Sequence, residues 1–197
     1  MRSAPLAAVA AGIAAALAVA VAPSAALAAR PRAPRCPARG AVVVEQTRTA
    51  AVYVDPRSGA YRGCLRPHGR ARRLATPDEI YSTVGGVTLA GRWVAFAYSH
   101  TPECKADCPP DVTGSGYVAL VNLGDGRRYS ATALDPAALA LTVRGTLVYL
   151  LDDTLYALDR AGDRVLDTGD IAPASVRASG TTVSWTNAGV PRSQTFP

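Results

Sequence analysis

A glycine-centred phrase occurs three times in the sequence, at residues 87–96, 141–150 and 176–185, and it constrains the fold more than any other feature. When the copies are aligned on the glycine, apolar residues recur at the second and fourth positions before it and at the third and fifth positions after it. Such alternation around a glycine is typical of a half-buried antiparallel hairpin, because successive side chains of a strand point to opposite faces of the sheet. The phrase therefore predicts one hairpin per copy.

The alignment assigns two sets of residues. The glycines at which the chain is expected to turn are Gly91, Gly145 and Gly180, and Gly40 is interpreted as opening a weaker, earlier copy. The two apolar positions after the glycine are expected to face the core, and they hold Val94, Phe96, Val148, Leu150, Val183 and Trp185.

Further strand-like segments, separated by Asx, Pro and Gly turns, surround these hairpins. They fall into four groups, at residues 40–75, 86–131, 140–168 and 175–196. Groups of three or four short strands at this spacing indicate propeller blades or an array of meanders. We therefore predict an all-β domain over residues 40–197, made of four blade-like antiparallel meanders in a small or incomplete β-propeller. The alternative is an irregular β-sandwich.

The alternation of a glycine-turn hairpin with an outer hairpin resembles the blades of β-propellers of the WD40-like, quinoprotein-like and TolB-like kinds, over about residues 40–196. It is also similar to small exported proteins of GC-rich bacteria. No Trp-Asp dipeptide ends a strand, and the sequence holds only two tryptophans, Trp93 and Trp185. The resemblance therefore implies a fold and carries over no functional residue.

The N-terminus predicts export. Arg2 precedes an apolar run over residues 6–22, Pro23 ends it, and residues 26–28 read Ala-Leu-Ala, which signal peptidase accepts. We expect a signal peptide over residues 1–28, cleaved after Ala28, and a Pro- and Arg-rich linker over residues 29–39. A retained membrane anchor is the alternative. The mature chain is thus expected to be secreted or extracytoplasmic, without an integral membrane span.

Four cysteines in an exported chain predict two disulfides. We favour Cys36 with Cys64 and Cys104 with Cys108, because the second pair is close in one polar loop. A zinc site is the alternative, with ligands drawn from His68, His100, Cys104 and Cys108. Its spacing does not match the usual zinc motifs, so we expect no metal and no cofactor.

Positive charge is in excess but dispersed. Lys and Arg number 21 against 15 acidic residues, for a net charge of +6. The excess is explained by ordinary solvated surface arginines. A more specific interpretation is attraction of the protein to anionic envelope polymers or lipid headgroups. Export and the absence of aromatics between the arginines argue against nucleic acid. An envelope polymer or another protein is the expected partner, and the sequence does not specify an oligomeric state.

Candidate catalytic groups do not form a recognisable motif. The acidic residues after position 150, such as Asp152, Asp153 and Asp159, stand where turns belong, and the segment Gly114–Gly116 lacks the helix that a serine-nucleophile elbow needs. We therefore expect a non-catalytic binding or interaction module. The alternative is a hydrolase or lyase with a site in a propeller funnel, where His100 would work with Asp78, Glu79 or Asp111.

Peptide mapping without reduction checks the disulfide prediction. We expect two cross-linked peptide pairs, Cys36 with Cys64 and Cys104 with Cys108. Free thiols, or Cys36 joined to either member of the close pair, would contradict it. Mapping after reduction and alkylation is the control for complete recovery of the four peptides.

Overall fold

The computed structural model describes residues 35–67, 69–77, 82–101 and 114–197, and these form fifteen strands in four antiparallel sheets. Sheet 1 contains β1 (Val42–Gln46), β2 (Ala50–Val54), β3 (Tyr61–Leu65) and β4 (Arg72–Ala75). Sheet 2 contains β5 (Ser82–Ala90), β6 (Trp93–His100), β7 (Ser115–Asn122) and β8 (Arg128–Thr132). Sheet 3 contains β9 (Ala138–Leu141), β10 (Leu147–Leu151), β11 (Thr154–Asp159) and β12 (Gly162–Thr168). Sheet 4 contains β13 (Arg177–Ser179), β14 (Thr182–Asn187) and β15 (Val190–Thr195).

In every sheet the strands are neighbours in chain order, so each sheet is a meander. A single 3-10 turn at Pro173–Ser175 precedes sheet 4, and the described residues contain no α-helix. The prediction of an all-β fold with four antiparallel meanders is confirmed. The predicted signal peptide and the close cysteine pair lie outside the described residues.

Adjacent sheets pack through their faces, and three buried clusters hold them together. Val52 and Leu74 of sheet 1 pack with Phe96 of sheet 2. On the other face of sheet 2, Leu120 packs with Tyr149 of sheet 3. The remaining cluster joins sheets 3 and 4, and it includes Leu150, Leu155, Val183, Trp185 and Phe196. Sheets 2 and 3 are therefore buried on both faces, which explains why their central strands are almost continuously apolar.

The outer faces of the first and last sheets are covered differently. The segment before β1 is joined to β3 by the disulfide Cys36–Cys64, and both cysteines pack with Ala51 and Tyr53 on the outer face of sheet 1. The predicted pairing of Cys36 with Cys64 is thus confirmed. On sheet 4, the residues of β14 opposite the core are hydroxyl-bearing, namely Thr182, Ser184 and Thr186. Among the described residues, no buried cluster joins sheet 4 to sheet 1.

The structure places the six predicted core residues in these clusters, each at most 5% exposed. Among the apolar positions before the glycine, Val143 is the one that is exposed, at 46%. Strand β9 ends at Leu141, and the turn starts at Thr142, whose Oγ1 accepts a hydrogen bond of 3.0 Å from the Thr146 backbone N–H. A side chain able to cap the turn thus ends the strand earlier than the apolar pattern indicates.

Three of the predicted turn glycines join the first and second strands of their sheets. Gly91, Gly145 and Gly180 have φ values of 60°, 86° and 61°, in the left-handed region that favours glycine. Gly40 also has a left-handed φ, of 77°, but it stands in a turn before β1 and does not join two strands. The equivalent turn of sheet 1 is built by Thr47, whose Oγ1 accepts a hydrogen bond of 3.1 Å from the Ala50 backbone N–H. A threonine-capped turn needs no glycine, so the earlier copy has none there.

These turns contact one another along one end of the sheets. Thr49 Oγ1 donates a hydrogen bond of 3.2 Å to the Gly91 carbonyl, and the Val143 N–H donates one of 3.0 Å to the Gly180 carbonyl. The Trp93 indole covers Gly145 so closely that a Cβ there would lie 2.2 Å from Trp93 Cε2. Gly145 is therefore required both for its backbone conformation and for the space that the indole occupies.

Replacement of two turn glycines separates these requirements. Gly180→Ala meets no atom within 4 Å, so it carries only the cost of a left-handed alanine, about 1–2 kcal/mol. Gly145→Ala carries the same cost and must also displace Trp93, so we expect a loss of unfolding free energy of about 2–5 kcal/mol. Urea denaturation of both variants measures the difference. Equal losses would contradict a packing role for the indole.

Candidate functional site

A cavity of about 440 Å³ lies between the turns of sheets 2 and 3, at the end where Trp93 covers Gly145. Two other cavities, of about 480 and 610 Å³, run along the first strands of sheets 2, 3 and 4, where small apolar residues and backbone predominate. The cavity at the turns differs in its charge. Four arginines line it, with two aspartates and two aromatic residues: Arg127, Arg144, Arg160, Arg164, Asp125, Asp159, Trp93 and Tyr129.

The turn between β7 and β8 positions Arg127. The buried side chain of Asn122 accepts a hydrogen bond of 2.9 Å from the Gly124 N–H, and Asp125 Oδ1 accepts one of 2.9 Å from the Arg127 N–H. Gly126 has a φ of 82°, which completes the turn. The Asx hydrogen bonds therefore fix the backbone from which the Arg127 side chain reaches the cavity.

Sheet 3 contributes Arg144 and Arg160 from the β9–β10 and β11–β12 turns, and Arg164 from strand β12. Arg144 precedes Gly145 in the turn that Thr142 caps. In the turn between β11 and β12, Asp159 Oδ1 accepts a hydrogen bond of 2.8 Å from the Ala161 N–H, and Arg160 is exposed at the tip. Both turns lie at the same end of the sheet, because β10 and β11 run antiparallel between them.

Arg164 and Asp159 form the best-ordered ion pair at the cavity. The Arg164 Nη1 and Nη2 atoms donate to the two carboxylate oxygens at 3.0 and 2.8 Å, and the guanidinium also lies 5.9 Å from the centre of the Phe196 ring. Arg127 and Asp125 are separated by 3.7 Å, with side chains 75% and 49% exposed, so that pair is weak. Within the described part of the chain, Arg144 and Arg160 form no salt bridge.

The pKa values of the Arg164–Asp159 pair keep both groups charged. Burial alone would raise the pKa of the Asp159 carboxyl, but the hydrogen bonds from Arg164 and from the Ala161 N–H outweigh it, and the pKa lies below its ordinary value. The hydrogen bond with Asp159 raises the pKa of Arg164. Asp159 is thus neutralised by its partner, and the cavity retains the uncompensated charge of Arg144 and Arg160.

The two aromatic side chains lie beside each other in the cavity wall. The Trp93 and Tyr129 ring centres are 6.4 Å apart, and their planes are inclined by 35°. Each ring is half-buried and packs against the apolar cluster between sheets 2 and 3. Aromatic surface and guanidinium groups therefore border the same space.

The structure places His100 at the end of β6, far along the strand from Trp93. Its Nδ1 lies 3.0 Å from Ser82 Oγ, and the Tyr98 hydroxyl donates a hydrogen bond of 2.8 Å to the same oxygen. The Tyr98 ring stacks on Tyr117 at 4.9 Å. The other residues of the predicted catalytic or zinc sites lie outside the described residues, namely His68, Asp78, Glu79, Cys104, Cys108 and Asp111.

The acidic residues of the C-terminal part are engaged in the fold. Asp152 lies in the turn between β10 and β11 with a φ of 51°, and Asp163 accepts a hydrogen bond of 2.9 Å from the Tyr149 hydroxyl. Asp167 accepts hydrogen bonds from Trp185 Nε1 at 2.6 Å and from Arg192 at 3.0 Å, and so joins sheet 3 to sheet 4. Across the described ranges, no group of three or more His, Cys, Asp or Glu side chains could hold a metal ion.

Sequence reasoning did not identify the arginine cavity. Its signal is a recurrent placement of arginine beside a turn-forming residue, as in Gly126-Arg127, Arg144-Gly145 and Asp159-Arg160. Each dipeptide alone is an ordinary exposed turn. Their convergence depends on which sheets are neighbours, and the local sequence does not specify that.

No protein-family model matches the chain, and no curated protein matches it. In the part of the chain that the structure describes, no helix is long and apolar enough to cross a membrane.

Asp159→Asn tests the ion pair through the pH dependence of stability. The pKa of Asp159 is lower in the folded state than in the unfolded state. The ion pair therefore contributes fully to the free energy of unfolding above the unfolded-state pKa of about 3.9, and this contribution is lost as the pH falls through the folded-state pKa. We expect the variant to be less stable at neutral pH by about 1 kcal/mol, because Arg164 is partly exposed.

The difference from the wild type should shrink below about pH 4, as the wild-type carboxylate becomes protonated. Chemical denaturation across this pH range provides the measurement. Asp153→Asn, at an exposed position in a turn, is the matched control and should change stability little. A pH-independent loss in Asp159→Asn would contradict the assignment.

Proposed function

We propose that the protein is an extracytoplasmic binding module that holds an anionic polymer of the cell envelope in the arginine cavity. The observation that carries this proposal is the presence of two exposed guanidinium groups, Arg144 and Arg160, without an ion partner among the described residues. Like charges gathered on neighbouring turns repel one another, and an anion relieves that repulsion.

Arginine suits such a ligand because its planar guanidinium presents paired donors that match the oxygens of carboxylate and phosphate groups. The cavity volume of about 440 Å³ is within the range of about 300–1,000 Å³ typical of small-molecule sites, so it would hold one or two units of a chain. The net charge of +6 supports the long-range attraction of a polyanion.

The frame around the cavity supports binding without large rearrangement. The turns that carry Arg127, Arg144 and Arg160 are held by backbone N–H groups that donate hydrogen bonds to the side-chain oxygens of Asn122, Thr142 and Asp159 respectively. Sheets 2 and 3 beneath them share a buried apolar cluster. A ligand would thus meet groups whose backbone positions are already fixed, which lowers the entropy cost of association.

The chemistry of the lining favours binding over catalysis. No serine, cysteine or histidine lies among the described residues that line the cavity. Of its two carboxylates, Asp159 is engaged by Arg164, and Asp125 accepts a hydrogen bond from the Arg127 N–H and has no nucleophile beside it in the lining. A hydrolase or lyase site around His100 remains a separate prediction.

Export supports an envelope ligand. The disulfide Cys36–Cys64 suits an oxidising compartment outside the cytoplasm, and the signal peptide predicted over residues 1–28 would deliver the chain there. Anionic polymers are the ligands of opposite charge that such a surface offers to a basic protein.

Binding of two unrelated polyanions, polyphosphate and oligogalacturonate, tests the proposal. We expect the wild type to bind at least one of them with an affinity that falls with added salt, and Arg144→Ala combined with Arg160→Ala to bind about tenfold more weakly, through loss of about 1.4 kcal/mol. Isothermal titration calorimetry measures both effects.

The matched control removes two other exposed arginines, Arg48 and Arg57, which belong to sheet 1 and do not line the cavity. This control should bind as the wild type does, although its net charge is reduced equally. Equal weakening in both double variants would show that binding follows net charge alone, and absence of binding to either polymer would refute the proposal.

A further inference from the structure

We infer that the ligand of the arginine cavity is an acidic saccharide, whose anionic groups are carried on sugar rings, and this inference rests on the proposed function. The observation behind it is the pair Trp93 and Tyr129, whose rings border the same cavity as the arginines. A site for a phosphate chain without sugar rings would need only the positive charges of the arginines.

Trp93 has a fixed orientation. Its indole is held against the backbone of Gly145, and it also packs on the cluster between sheets 2 and 3. Its remaining surface faces the cavity, since Trp93 is among the lining residues and is only half-buried. An indole that is already immobilised loses little conformational entropy when a ligand stacks on it.

Tyr129 extends the aromatic surface from β8, the edge strand of the same sheet. It lies on β8, opposite Leu120 of β7 in the strand register, and its ring centre is 6.4 Å from that of Trp93. The two rings are inclined by 35°, so together they form a shallow angled wall. Such a wall presents negatively polarised ring faces over a length greater than one side chain.

A sugar ring complements this wall and the arginines at once. The axial C–H groups on one face of a pyranose are apolar and weakly positive, so they pack against the negative face of an aromatic ring. Carboxylates on the same saccharide would then reach Arg144 or Arg160, the two lining arginines without an ion pair among the described residues. Polyphosphate offers oxygens to the arginines but has no apolar face for the rings.

Tyr129→Leu separates the two ligand chemistries. We expect it to weaken binding of oligogalacturonate at least fivefold and to leave binding of polyphosphate within about twofold of the wild type. The matched control is Tyr156→Leu, which alters a half-buried tyrosine of the same apolar cluster outside the cavity lining. Thermal unfolding of both variants accounts for any shared effect on the fold.

Acrylamide quenching of tryptophan fluorescence provides a second readout on the unmodified protein. Trp185 is only 5% exposed, so Trp93 supplies most of the quenchable emission. We expect oligogalacturonate to protect Trp93 from the quencher and polyphosphate to protect it less.

The outcomes distinguish this inference from the function on which it rests. Binding of oligogalacturonate that depends on Arg144 and Arg160 but is insensitive to Tyr129→Leu would overturn the saccharide assignment and leave the proposed function intact, and so would binding of polyphosphate alone. If Tyr129→Leu weakened the binding of both polymers equally, the saccharide assignment would be overturned as well. Absence of binding to both polymers would overturn both.

Discussion

The face-to-face packing of sheets 2 and 3 is the interaction on which the rest of the structure depends. Each of these two sheets buries apolar side chains on both faces, and this burial is the main contribution to its stability. Leu120 and Tyr149 lie in the layer between them, and Phe96 and Leu150 lie in the layers on either side. Neighbouring residues of one strand pack in different layers. Removal of one layer would therefore expose apolar side chains of the next.

This packing also creates the candidate site. Hairpins of two neighbouring sheets end at the same side of the layer, and their turns must therefore approach each other. Trp93 of sheet 2 covers Gly145 of sheet 3 where the turns meet. The arginines of the turns line the cavity beside the indole. The cavity is thus a consequence of where strands end, and its charge depends on which side chains the turns can carry without strain. Exposed turn positions accept arginine freely, since its charged group remains in water.

Much of the fold could be predicted from the sequence because the alternation of apolar residues is a local property. The burial of Val94 and Phe96, and the left-handed turns at Gly91 and Gly180, follow from residues only a few positions apart. Gly40 stands in a turn before β1, and the turn between β1 and β2 has no glycine because a threonine side chain builds it. The cavity could not be predicted, since it depends on contacts between residues far apart in sequence, such as Trp93 and Gly145.

The outer faces of sheets 1 and 4 differ in how they meet solvent without a further sheet. Sheet 1 covers its outer face with the segment that the disulfide holds, so Ala51 and Tyr53 are buried without a further sheet. Sheet 4 instead places hydroxyl groups on its outer face, and the Thr182 and Thr195 side chains bond to each other across the strands at 2.9 Å. Hydroxyl groups on an exposed face keep their hydration, whereas burying that face would require a partner for each of them. Among the described residues, therefore, the outer faces of sheets 1 and 4 differ in chemistry: the face of sheet 1 is covered in part by the disulfide-bonded segment, and that of sheet 4 is polar.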